Sequence, residues 1–118
     1  RLNIPNFNVF RCDGTTHGGG VCIYVHYYIA GTVIQRSTGS TVEILNVRIR
    51  LATKPRATDI SVSTLYRQPS ATVNFWDQLS SELDLALQTP NALILGDFNT
   101  DVLQPTTPGY RHLQCVCA

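Results

Sequence analysis

The sequence predicts a layered α/β (α+β) fold, part of a two-sheet α/β sandwich truncated at both ends. Three observations carry this: several short β-branched and aromatic runs, one longer stretch with helical period, and a wholly apolar run, Ala92–Leu95, directly after it. The 118 residues suffice for one hydrophobic core and not two. Only 14% of residues are charged, and 9 Lys and Arg face 8 Asp and Glu for a net charge of +1. This excludes a charge-driven disordered tail and a polycationic binder. Apolar runs are too short to span a bilayer. Methionine is absent, the chain opens at Arg1 and it closes after Cys115-Val116-Cys117, so it reads as a piece of something longer.

Phe7–Phe10 and Val21–Val25 read as two strands of a hairpin, joined by the polar, glycine-rich segment Asp13–Gly20. A phosphate-binding loop is the alternative for Gly18–Gly20. No Lys-Ser/Thr follows, however, and the next element is a strand rather than a helix. His26–Ile29 runs into a loop at Gly31. Thr41–Leu51 is the longest strand, with Val47, Ile49 and Leu51 alternating against Arg48 and Arg50. Val42 and Ile44 fall in the opposite phase, which predicts a bulge near Leu45. After a turn over Ala52–Thr58, Asp59–Tyr66 continues the sheet, with Ile60, Val62 and Tyr66 on one face and Leu65 on the other.

Ser70–Gln88 changes period. Phe75, Trp76, Leu79, Leu83, Ala86 and Leu87 form one apolar stripe, Ser70 or Thr72 caps the start, and Thr89-Pro90-Asn91 ends the helix. Ala92–Leu95 is then expected at the buried centre of a sheet. A last helix is expected around Tyr110. The four cysteines are expected as buried free thiols in a reducing, intracellular setting, because Cys115 and Cys117 are too close to bridge one another. A zinc site from His112, Cys115 and Cys117 with His17 or Cys12 lacks the usual paired Cys-x2-Cys spacing.

Chemistry concentrates after the apolar strand, in Gly96-Asp97-Phe98-Asn99. In extended backbone, Asp97 and Asn99 share a face and Phe98 points to the core. A carboxylate beside a carboxamide suits phosphodiester hydrolysis. The acid holds a hard cation or takes a proton from water, and the amide donates to phosphoryl oxygens. Gly96 would let the backbone turn sharply and leave room for a ligand. The same residues also suit a plain turn in which both side chains bond to their own backbone.

Leu93–Asn99 resembles the signature of the endonuclease/exonuclease/phosphatase superfamily. In the expected order, His17–Val25 is similar to the glycine-rich hairpin of its retrotransposon-type branch, and Leu65–Ser70 to that branch's Tyr-Arg-Pro-Pro segment, with Gln68 in place of a proline. The set looks most like the endonuclease domain of non-LTR retrotransposons, with residues 1–118 as the central portion of an incomplete domain. The resemblance implies that Asp97 orients or deprotonates the attacking water, that Asn99 binds the phosphate and helps arrange the metal, and that Tyr66 contacts the phosphate. Asp97 and Asn99 would hold Mg2+, or Mn2+ in its place.

The implied partner is DNA, with a reverse transcriptase domain in the same full-length chain, no membrane, and a nuclear location. The family's early asparagine and metal-binding glutamate would precede Arg1, and its Ser-Asp-His would follow Ala118. Glu43, Glu82 and Asp84 do not replace them, the last two reading as solvated helix surface. The piece alone is therefore expected to be inactive. A catalytically dead remnant that at most binds nucleic acid, and a hydrolase of phosphoinositides or nucleotides, are the competing readings.

Arg48, Arg50, Lys54, Arg56 and Arg67 form the one local basic stretch. Arg48, Arg50 and Arg67 either follow a nucleic-acid backbone or solubilise an exposed face. Asp101 reads as a solvated loop carboxylate. His17, His26 and His112 match no catalytic histidine. Tyr27 and Tyr28 suit stacking on bases, whereas Trp76 belongs to the core. Half of a sandwich also leaves an apolar sheet face bare.

Overall fold

β4 (Val42–Leu51) is the organising element, because both of its faces are covered. The computed structural model describes residues 3–14, 19–38, 42–69, 71, 74–100, 103, 104, 106–108 and 111. Within these, β1 (Phe7–Cys12) and β2 (Val21–His26) form an antiparallel hairpin. β3 (Ala30–Thr38), β4, β5 (Thr58–Arg67) and β6 (Ala92–Asp97) form a four-stranded sheet in that order. The first three strands are antiparallel, and β6 runs parallel to β5 after the crossover helix α1 (Asn74–Ala86). The result is an α+β arrangement of hairpin, sheet and helix.

The two faces of β4 explain its sequence. Val42 and Ile44 pack with Leu65, Phe75, Trp76, Leu79 and Leu83 under the helix. Leu45 and Val47 pack with Cys12 under the hairpin, against Phe10, Val21 and Ile23. The opposite phases of Val42/Ile44 and Val47/Ile49 therefore need no bulge in β4, whose register with β5 runs unbroken from Val42↔Arg67 to Leu51↔Thr58. The bulge lies on β3 instead, where Val33 pairs with Val47 and Gln35 with Asn46, leaving Ile34 as the extra residue. That insertion turns Gln35 to the helix side, where its Nε2 donates to Glu82 Oε2. Glu82 is thus half-buried rather than fully solvated, and burial raises its carboxyl above the usual range.

β3 is a strand where the sequence suggested a loop. Its run of Thr, Gln, Arg and Ser around Val33 and Ile34 is that of a weakly apolar edge, and pairing with β4 supplies what propensity does not. The helix is held by packing. Phe75, Trp76, Leu79, Leu83 and Ala86 are all buried, and burying each of the large ones contributes roughly 1.5–3 kcal/mol, against under about 1 kcal/mol for ordinary propensity differences. Leu87 falls after the last helical residue and is exposed, because the helix ends at Ala86. The expected caps Ser70 and Thr72, and Tyr110 itself, lie outside the described residues, while Pro108 and Arg111 on either side of Tyr110 are helical and the Arg111 N–H donates to the Thr107 carbonyl at 3.3 Å.

β6 is not central. Among the described residues it forms the sheet edge, with Leu93 49% and Leu95 54% exposed, while only Ile94 turns inward to the helix-side cluster. The hairpin packs over β3, β4 and β5. Cys12 is buried and Cys22 exposed, because neighbouring hairpin positions point to opposite sides. The other two cysteines, with His17 and His112, lie outside the described residues. No helix among the described residues is long and apolar enough to cross a membrane.

Candidate functional site

Strand register brings three polar side chains into one row. Glu43 on β4 pairs with Tyr66 on β5, and Tyr66 pairs with Asp97 on β6. Paired residues point to the same face, here the hairpin side. Adjacent strands are roughly 4.8 Å apart, so the row spans about 10 Å from Glu43 to Asp97. Tyr66 is half-buried and Asp97 exposed at the open end. Tyr66 and Asp97 are thus neighbours across the lip of the sheet.

Asp97 and Asn99 do not share an extended face. Asn99 has φ of 46°, which breaks the two-residue alternation. Its N–H donates to Asp97 Oδ1 at 2.9 Å, closing an Asx turn. Its Nδ2 donates to the Arg67 carbonyl. Asp97 keeps its second carboxylate oxygen, and the Asn99 carboxamide keeps its oxygen and its second N–H. Phe98 packs against the helix-side cluster as expected.

Gly96 has a different reason from the one the sequence suggested. It lies within β6 opposite Leu65 rather than at a turn. A Cβ there would sit 2.3 Å from the Leu65 carbonyl oxygen. Close approach of two strands, not a sharp bend, requires the glycine.

Arg67 is the clamp behind this lip. Its Nη1 donates to the Asn99 carbonyl at 3.3 Å and lies 3.5 Å from that of Phe98, and its Nη2 donates to the Ala71 carbonyl at 3.1 Å. The guanidinium also lies 5.2 Å from the Phe75 ring centroid and 5.4 Å from that of Trp76. These contacts tie the end of β5, the start of α1 and the loop after β6 together. Both Nη atoms of Arg67 are thus engaged by carbonyls of its own chain, while its buried Nε has no hydrogen-bond partner among the described residues. Arg48 and Arg50 are exposed, with Arg50 Nε 3.6 Å from Asp59.

Glu43 is the residue whose part the sequence hid. It is 1% exposed, and its Oε2 accepts from the Gly20 N–H. Its Oε1 has no hydrogen-bond partner among the described residues. Gly19 and Gly20 have φ of 98° and 96°, and a Cβ on Gly19 would lie 2.7 Å from Glu43 Oε1. The glycine-rich hairpin is thus fastened to the sheet on the Tyr66–Asp97 row. A lone acid inside the apolar run Val42-Glu43-Ile44-Leu45 was the signal available. Beside it, burial first and the Glu43 charge second push the Cys12 thiol up.

A concavity of about 480 Å³ lies on the outer side of the hairpin, lined by Val9, Arg11, Asp13, Cys22 and Tyr24. Arg11 Nη2 is already paired with Asp13 Oδ1 at 2.8 Å. Gly19 and Gly20 also line it, and the Gly20 N–H is bonded to Glu43 at the inner end of the row. The oxygen donors at the lip suit a hard cation, and Asp97 would hold one with Asn99 beside it and water filling the remaining positions. Among the described residues, no group of three or more His, Cys, Asp or Glu side chains converges.

The family model described as the Endonuclease/Exonuclease/phosphatase family matches residues 2–114. No curated protein matches the chain. The family is one of hydrolases that generally depend on a divalent metal. With a match over nearly the whole length, and a fold consistent with part of such a domain, the chain belongs to the endonuclease/exonuclease/phosphatase family.

Proposed function

We propose that this chain is part of a magnesium-dependent phosphodiesterase acting on DNA in the nucleus, the endonuclease portion of a retroelement-type protein. The observation that carries it is the pairing of Tyr66 with Asp97 at the open end of the parallel strand pair. One Asp97 oxygen is fixed by the Asn99 N–H, so the other is held in position to accept a proton from water beside a phosphate. The Tyr66 phenol, one strand away, can donate to a phosphoryl oxygen. Bound at Asp97, magnesium would neutralise charge developing on the phosphate.

The test is nicking of supercoiled plasmid by the full-length gene product in magnesium. Asp97→Asn is expected to lower the rate by about 10²- to 10³-fold with the melting temperature unchanged, because Asp97 is exposed. Full activity in Asp97→Asn refutes the assignment. The 118-residue chain alone is expected to leave plasmid intact, since its lip offers one carboxylate and one carboxamide. A second reading, a non-catalytic remnant, is favoured by one observation: one N–H of the Asn99 carboxamide is already bonded to the Arg67 carbonyl. A full-length product that binds DNA yet never nicks it would establish that reading.

A further inference from the structure

The bulge on β3 brings a carboxamide and a carboxyl together on the helix side of the sheet, the face opposite the Glu43–Tyr66–Asp97 row. Ile34 is the extra residue there and is exposed. Gln35 therefore turns to the face of its β4 partner Asn46, and its Nε2 donates to Glu82 Oε2 on α1. Oε1 of the same amide is buried and has no hydrogen-bond partner among the described residues. An acceptor taken out of water without a donor in exchange is an unmet bond. β3 lies at the edge of the sheet, and this amide ties it to the helix.

No cation answers Glu82. On the helix-side face β3 carries no charged residue, β4 carries Arg48 and Arg50, and β5 carries Asp59 and Arg67. Arg50 lies beside Asp59, and both Nη atoms of Arg67 bond backbone carbonyls. Asp77 and Asp84, the other acids of α1, are exposed. Among the described residues none of these forms an ion pair with Glu82. Burial alone holds its carboxyl above the ordinary 4.5. Ionised, Glu82 only accepts, so it uses the amide N–H and leaves the amide oxygen unanswered. Protonated, it gains an O–H, and a carboxylic acid and a primary amide complement each other twice, N–H to acid carbonyl and O–H to amide carbonyl.

We infer that Glu82 and Gln35 form a proton-operated latch between α1 and the edge strand β3: with a proton bound, the Glu82 O–H takes up Gln35 Oε1 and the pair closes on two hydrogen bonds, and without it one bond remains. The proton comes from solvent, which half-buried Glu82 can reach. The folded chain then holds this proton more tightly than the unfolded one. The stabilisation is fully present below about pH 4.5 and is lost as pH rises through the higher folded value. The latch rests neither on the nucleic-acid reading nor on catalysis at Asp97.

Glu43 and Glu82 are the only glutamates of the chain, so carbon-13 labelling of glutamate gives two side-chain carboxyl signals in an NMR titration of the full chain, and Glu82→Gln assigns them. The Glu82 signal is expected to titrate above 4.5, and the side-chain amide signals of Gln35 are expected to move with the same midpoint. Urea unfolding supplies an independent measurement. Glu82→Gln has a carboxamide that both donates and accepts, so it keeps the closed pair at every pH. Its unfolding constant is expected about threefold to tenfold below that of the parent at pH 7, the worth of one neutral hydrogen bond, and within about twofold of the parent at pH 4. Gln35 amide signals that stay still while Glu82 titrates, a Glu82 midpoint at or below the ordinary value, or a Glu82→Gln chain no more stable than the parent at pH 7 would each overturn the latch.

Discussion

Replacing Gly96 with alanine tests whether the lip depends on two strands approaching more closely than a side chain permits. The new Cβ would lie 2.3 Å from the Leu65 carbonyl oxygen, 2.8 Å from Leu65 Cγ and 3.1 Å from the Leu65 carbonyl carbon. Even a close carbon–oxygen contact needs about 3.3 Å, so β6 must withdraw from β5 by about 1 Å. A flexible side chain could swing aside, but a carbonyl in the middle of a sheet cannot. Overpacking of this kind costs about 1–3 kcal/mol, and contact with backbone puts Gly96→Ala toward the upper end. For a chain of this size that is a fall in melting temperature of roughly 5–12 °C.

Thermal and urea unfolding of the full chain measure this loss. Leu95→Ala serves as the control: its side chain is 54% exposed, and the expected change is within about 0.5 kcal/mol. A second control separates backbone from side chain. Leu65→Ala removes Cγ but leaves the carbonyl, so it should fail to rescue Gly96→Ala in a double-mutant cycle. Rescue by Leu65→Ala, or a Gly96→Ala variant within about 0.5 kcal/mol of the parent, refutes the reasoning.

Two further outcomes follow from the contacts around the site. Arg67→Ala is expected to cost about 2–4 kcal/mol, from lost charge-assisted bonds to carbonyls and ring contacts, with the salt slope of DNA binding unchanged. A reduced slope with parent stability would make Arg67 a phosphate contact instead. In native protein, iodoacetamide should modify exposed Cys22 far faster than buried Cys12, read by peptide mapping. The Cys12 thiol is raised above the ordinary 9.0 by burial, so the unfolded chain ionises first. The stability contributed by this thiol is present below about pH 9 and declines as pH rises through the higher folded value. Cys12→Ser should flatten that alkaline decline, and an unchanged pH profile contradicts it.

Local pattern was enough for much of this protein. The hairpin, β4, β5 and the helix stripe are legible because alternation and a 3.6-residue period report which side of an element is buried. The order of the segments around Gly96-Asp97-Phe98-Asn99 was likewise enough to point to the family. Three things required the folded chain. β3 is a strand through its partner rather than its composition, since Ala30–Thr38 has little apolar pattern of its own. The two phases within β4 are coverage by different layers, a fact about what lies above and below Val42 and Val47 and not about the strand itself. The row Glu43–Tyr66–Asp97 exists only through register between strands distant in sequence. Periodicity reports the side of a strand a residue takes, but register depends on turns, bulges and packing elsewhere, which is why tertiary structure alone placed the acid, the phenol and the buried glutamate side by side.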